Sequence, residues 1–318
     1  MLGKTANGLF WMYRYLERAE NTARLIETGQ RIALTRLNDR DEEWGPVLQS
    51  AGTLAAFRAQ DEDLNKETAI DWMLRARGNP SSVLSCIEAA RQNARLVRAA
   101  VTGEVWEAVN AAYMDARDLL ARRVRERDLP QVLRAIRQST SLVRGMTHGT
   151  MLRNEIYDFA RLGTFLERAD NTARILDVKY YVLLPSAGSV GTSIDNVQWE
   201  TILRSLSAHG GFRMEYGAGA GPLEITQFLI LDKRMPRSLA FCVDKLCDNL
   251  RYLHKGDRAL MPSLKQVNHL QAMYLSHDVN AIFDFGLHEF IGQILDHLGY
   301  GRAPDRNRLQ VLRVIPCG

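Results

Sequence analysis

The chain has 318 residues, 46% of them hydrophobic, enough apolar material for one large core or two ordinary ones. Its 41 basic and 37 acidic residues are interspersed and leave a net charge of +4, so neither a nucleic-acid nor a membrane partner is expected. No uncharged apolar run reaches membrane-spanning length, and Arg14, Glu17 and Arg18 stand where a signal peptide would be apolar, which predicts a cytoplasmic protein.

Nearly every segment from Thr5 to Gly299 has helical spacing, and alternating strand patterns are almost absent. Met12, Leu16, Ala19, Ala23 and Ile26 form one apolar stripe on a first long helix. Asn79–Pro80–Ser81–Ser82 is a start signal for a helix over Ser81–Thr102. Four arginines, Arg122, Arg123, Arg125 and Arg127, then form a cluster that fits a solvated face. Leu129–Pro130 closes one helix and opens another that runs towards Leu152. A second long helix repeats the stripe as Leu162, Leu166, Ala169, Ala173 and Leu176. Pro185–Thr192 reads as a Ser/Gly-rich connector, Asp195–Ala208 as a helix, and Gly210–Pro222 as a loop. The glycines of that loop follow no strand and lack the Gly-Lys-Ser/Thr ending of a phosphate loop. Helices over Leu223–Leu231, Arg237–Lys255 and Val279–Leu298 follow, and the apolar tail Leu309–Gly318 could dock as an extended strand or on a partner.

Two stretches about 150 positions apart nearly coincide: LERAENTARLIE over Leu16–Glu27 and LERADNTARILD over Leu166–Asp177. Trp44, Leu48 and Ser50 are echoed by Trp199, Leu203 and Ser205. The series Trp72–Met73–Leu74, Pro80, Ser82, Cys86 and Glu88 returns as Phe228–Leu229–Ile230, Pro236, Ser238, Cys242 and Asp244. A tandem duplication accounts for this. The expected fold is an all-α helical bundle of two pseudo-twofold-related halves, residues 1–150 and 151–318, sharing a core as one compact domain. The four cysteines lack metal-ligand spacing, and Cys86 and Cys242 fall on apolar faces as structural thiols.

At about 100° per residue, Glu17, Asn21 and Arg24 share a narrow arc opposite the stripe, with Glu20 beside it. Glu167, Asn171, Arg174 and Asp170 occupy the same arc in the copy. Glu88 with Arg95 and Asp244 with Arg251 echo the relation on another repeated helix. A solvated face would make Glu20–Arg24 an ordinary i,i+4 pair worth a few tenths of a kcal/mol. Solvated faces diverge first, however, and here the arc has diverged less than the stripe, which favours an enclosed network. An antiparallel meeting of the two long helices would pair Glu17 with Arg174 and Arg24 with Glu167. The competing possibility is a pocket in which Glu17, Glu20, Glu167 and Asp170 are acid–base candidates, with the arginines binding a carboxylate. The seven histidines are scattered and the Glu-x-x-His pairs of di-metal bundles are absent, so no metal and no cofactor is expected.

Met1–Leu2–Gly3–Lys4–Thr5–Ala6, the segment from Leu9 to Asn21, Phe165–Leu166–Glu167–Arg168–Ala169–Asp170, Val197–Gln198–Trp199 and Pro236–Arg237–Ser238 together resemble the bacterial alpha-E proteins. The resemblance covers essentially the whole chain and implies an all-helical fold with a recurring Glu-Arg motif. It carries the motif onto Glu17, Arg18, Glu20, Asn21 and Arg24, and onto Glu167, Arg168, Asp170 and Arg174. One departure is Gly163–Thr164–Phe165 where the family often has Gly-Arg-Tyr; an arginine role at Thr164 is lost, or Arg161 supplies it. Genes of this family commonly stand beside an ATP-grasp ligase-like protein and near a transglutaminase-like one. The resemblance therefore implies a role in making or modifying a small peptide or amide-linked product, as a non-catalytic scaffold for the ligase or as an enzyme of amide-bond chemistry.

Overall fold

The computed structural model describes residues 3–33, 44–183, 193–217, 219–255 and 261–298. The predicted connector Pro185–Thr192 and the tail Leu309–Gly318 lie outside the described residues. Fifteen α-helices and no strand occur among the described residues, so the protein is all-α. The chain divides into two compact units between Thr164 and Phe165.

The first unit is built on α1 (Gly3–Ala33), 31 residues and so roughly 46 Å long at 1.5 Å per residue. Met12, Ala19, Ala23 and Ile26 are fully buried, with Leu16 nearly so. Around α1 stand α2 (Trp44–Ser50), α4 (Lys66–Leu74), α5 (Val83–Leu96) and α7 (Leu129–Thr150), with α3 (Leu54–Arg58) beside α2. The start signal at Asn79–Pro80 acts through Ser82, whose side chain caps α5 by accepting the Ser85 N–H. That helix stops at Leu96, short of the predicted Thr102, and a 3₁₀ turn over Arg98–Ala100 follows. Thr102 instead caps α6 (Gly103–Leu119), a helix the sequence reading did not single out.

Pro130 does not close a helix. It sits in the first turn of α7, where its missing N–H costs nothing, and α6 has already ended at Leu119. Arg91 donates to Asn110 at 2.7 Å and stacks on Tyr113 further along α6. Thr102 at the start of α6 bonds Thr150 at the end of α7 at 2.7 Å, so these two helices run antiparallel.

The second unit holds most of α8 (Glu155–Leu183), then α9 (Ser193–Ser205), α10 (His209–Tyr216), α11 (Pro222–Ile230), α12 (Leu239–His254), α13 (Met261–Tyr274), α14 (Val279–Phe285) and α15 (Leu287–His297). The stripe of α8 is as dry as that of α1, with Ala169 and Ala173 fully buried. Two expectations are corrected here. The loop predicted over Gly210–Pro222 is helical up to Tyr216, because Phe212 and Tyr216, one turn apart, both pack on Phe228 of α11. The helix predicted over Val279–Leu298 is two helices, broken at Gly286, whose φ of 101° a residue with a Cβ rarely adopts.

Candidate functional site

The polar arc of α1 is enclosed. Arg14, Glu17, Glu20, Asn21 and Arg24 are all buried, Glu20 with no exposed surface and Glu17 with 2%. Glu20 Oε1 accepts from Arg24 Nε at 3.0 Å and from its terminal nitrogen at 2.7 Å. Glu20 Oε2 accepts from Arg144 at 2.7 Å, with the Thr140 hydroxyl at 3.2 Å. The same Arg144 nitrogen reaches Glu17 Oε2 at 3.1 Å. One arginine from α7 thus gathers two carboxylates that stand on adjacent turns of α1.

These contacts belong to a longer seam. Glu27 pairs with Arg137 at 2.8 Å, and Tyr13 bonds Thr147 at 2.6 Å. Residue numbers fall along α1 (27, 20, 17, 13) as they rise along α7 (137, 140, 144, 147), so the helices pack antiparallel with polar side chains at the three- and four-residue spacing of one face. The Thr147 hydroxyl donates to the Val143 carbonyl, which leaves its oxygen to accept from Tyr13. Burial pushes the Tyr13 phenol well above its ordinary pKa, so it stays a neutral donor. At the end of the seam its oxygen lies 3.5 Å from Met151 Sδ.

In the second unit the copied residues are buried too: Glu167, Arg168, Asp170 and Asn171 are each at most 7% exposed. Asp170 Oδ2 accepts from Arg174 Nε at 2.8 Å, the same i,i+4 relation as Glu20 and Arg24. Arg168 lies over the Phe165 ring, 5.3 Å from its centroid, and reaches the Pro236 carbonyl at 3.4 Å. The Thr172 hydroxyl donates to the Arg237 carbonyl at 2.7 Å, tying α8 to the segment that leads into α12. At the end of the repeated segment Asp177 meets His288 of α15 at 2.6 Å, where its counterpart Glu27 meets Arg137.

Both units belong to one family. The Alpha-E family model, described as a predicted alpha-helical domain with a conserved ER motif, matches residues 1–300. The chain belongs to the Alpha-E family. No curated protein and no solved structure matches it. In this Alpha-E chain the Glu-Arg steps of the two long helices are Glu17–Arg18 and Glu167–Arg168. Their glutamates are buried, while Arg18 is half-buried and stands 5.9 Å from the Tyr15 ring.

The remaining candidates lie elsewhere. Glu88 and Asp244 are half-buried, and Arg95 and Arg251 are exposed. Arg251 bonds Asn268 at 3.3 Å, and Asp244 accepts from Gln271, both on α13. Arg161 stacks on Tyr157 and donates to its oxygen at 3.2 Å, while Thr164 turns back to the Ala160 carbonyl. Gly163, next to Thr164, lies against the α1 backbone at Phe10 and Arg14, where a Cβ would overlap the Phe10 carbonyl. No group of three His, Cys, Asp or Glu among the described residues could hold a metal ion.

Arg144 is the residue the sequence reading missed. It lies on α7, outside the segments whose repetition is visible in the sequence. A different signal marks it: Arg137, Thr140, Arg144 and Thr147 form a polar line beside the buried Leu133, Ile136 and Val143 of α7. His288, read as one of several scattered histidines, was also missed.

Proposed function

We propose that this Alpha-E protein is a non-catalytic helical scaffold that acts with an ATP-grasp peptide-ligase-like enzyme, and in a wider assembly with a transglutaminase-like protein, in making or modifying a small peptide or amide-linked metabolite. One observation carries the non-catalytic part: the Glu20 carboxylate has no exposed surface and both of its oxygens are engaged by Arg24, Arg144 and Thr140. A general acid or base must reach a substrate proton, whereas a closed carboxylate fixes the register of the helices it joins. Glu17, bonded to Arg144, supports the same role.

We further propose that the two units are copies of one helical design. Support comes from details repeated inside each. Ser82 and Ser238 each cap a helix by accepting the N–H three residues on. The Cys86 thiol points at the Pro80 carbonyl at 3.6 Å, and Cys242 at the Pro236 carbonyl at 3.9 Å. A cytoplasmic setting fits Cys86, Cys242 and Cys247 as buried free thiols; no described helix is long and apolar enough to cross a membrane.

The test is reconstitution with the neighbouring ligase, comparing wild type with Glu17→Gln, Glu20→Gln and Glu167→Gln. A scaffold predicts that product per assembled complex is unchanged in every variant that still folds and co-purifies. Loss of product with fold and assembly intact would instead make these carboxylates catalytic.

A further inference from the structure

Away from the charged seam, a cleft of about 730 Å³ opens between α4 and the connection from α6 to α7, within the roughly 300–1,000 Å³ of small-molecule sites. Its floor is apolar, formed by the buried Ile70, Leu74 and Leu129. Its rim carries both charge signs. Glu67 and Asp71 rise from α4, and Arg123 faces them from the connection. A Lys66–Glu126 ion pair clasps the two walls together. The α4 wall is fixed from behind by Arg75, which holds Asp71 at 3.1 Å and the Leu120 carbonyl at 3.3 Å.

Arg123 stands apart from these tight contacts. It lies 3.8 Å from Asp71 and 4.0 Å from Glu67, outside hydrogen-bond distance of either. Among the described residues neither the Arg123 nor the Glu67 side chain makes a hydrogen bond, and both side chains are more than half exposed. The planar fork of the guanidinium, suited to a carboxylate, is therefore held over the cleft by charge alone. An exposed pair at this separation holds little, so a ligand displaces it at small cost.

We propose that this cleft binds an apolar α-amino acid as its zwitterion, with the ligand carboxylate on Arg123, its ammonium on Glu67, and its side chain on the floor formed by Ile70, Leu74 and Leu129. A multiply charged anion would meet the carboxylates of the rim, and a simple cation would meet Lys66 and Arg123. Opposite charges about one ligand atom apart match a molecule that carries both on a single carbon. A peptide chain separates its terminal charges by roughly 3.3–3.6 Å per residue when extended and satisfies one wall only. The site is independent of the scaffold role and either can fail without the other.

Titration calorimetry of the full chain with L-leucine tests this. Saturable binding is expected, weakened about tenfold or more in N-acetyl-leucine, which lacks the ammonium, and in leucine amide, which lacks the carboxylate. Arg123→Gln and Glu67→Gln should each weaken leucine binding about tenfold with an unchanged melting temperature, since both side chains are exposed. The blocked ligands test the wild-type protein and do not depend on either variant folding. No heat with millimolar leucine, equal binding of a leucine tripeptide, or wild-type affinity in Arg123→Gln would each overturn the proposal.

Discussion

Glu20→Gln removes one charge from the closed centre of the α1–α7 seam while keeping the side chain's size. The carboxylate gives one oxygen to Arg24 and the other to Arg144 and Thr140. An amide has a single oxygen, so its NH₂ must face one of the two guanidinium groups, donor against donor. Removing one partner of a buried pair costs about 3–5 kcal/mol. Arg144 retains 26% side-chain exposure against 9% for Arg24, so the amide turns its oxygen to Arg24 and Arg144 recovers some water. The lower end, about 3 kcal/mol, is the expected loss, equivalent to about 6–12 °C for a cooperative unit of this size. Urea unfolding followed by far-UV circular dichroism and tryptophan fluorescence measures it, coincident curves licensing a two-state fit. Glu200→Gln is the control, because Glu200 pairs with Arg204 and Arg213 at 42% exposure and should lose under about 0.5 kcal/mol. A double-mutant cycle with Arg144→Met should show coupling of about 1–3 kcal/mol. A Glu20→Gln loss no larger than the control's, or strictly additive losses in the cycle, refutes the closed network.

Other residues give separate tests. Burial raises the Asp158 carboxyl to about 6, with Arg161 opposing and Glu155 adding to the shift. The folded protein therefore holds that proton more tightly than the unfolded chain, and stability falls as pH rises from about 4 to about 6 and stays lower above. Asp158→Asn should gain up to about 1 kcal/mol near neutral pH, after discounting for solvent at this half-buried site, and nothing near pH 4; equal effects at both pH values contradict it. Gly163→Ala should cost about 1–3 kcal/mol, because its Cβ meets the Phe10 carbonyl and comes within 3.3 Å of the Arg14 nitrogen, so a helix must shift; an unchanged melting temperature would show that the crossing has slack. Burial pushes the Cys247 thiol up to about 11, and Cys86 and Cys242 are fully buried. Iodoacetamide near pH 8 should leave all three unmodified in the native protein and alkylate them in guanidinium, as peptide mass spectrometry reads; native labelling of Cys86 or Cys242 contradicts their burial.

What the sequence made legible is what repetition or local chemistry encodes. Helical class followed from the 3.6-residue period, and the starts of α5 and α12 from Pro-x-Ser signals whose serines do cap them. Burial of the charged arc followed from a comparison within the chain itself: residues free in solvent have no reason to show the same Glu, Asn and Arg at matched positions of two similar stretches. The failures have a common physical cause. Arg144, Thr140 and His288 acquire their roles from helices more than a hundred residues away, and neither period nor capping chemistry reports a contact of that kind. The loop predicted over Gly210–Pro222 differs for the same reason, since Phe212 and Tyr216 stack on each other and pack their rings against Phe228, which favours a helix against the local signal of the glycines. Gly163 shows the converse. Its glycine was visible as part of a tripeptide that departs from the family's pattern, but its purpose became visible only where α1 passes too close for a Cβ. The repeated segment thus supplies only part of its own network, the Glu20–Arg24 and Asp170–Arg174 pairs. Thr140 and Arg144 of α7 meet Glu20 from outside that segment, and together with Arg24 they engage both oxygens of its fully buried carboxylate.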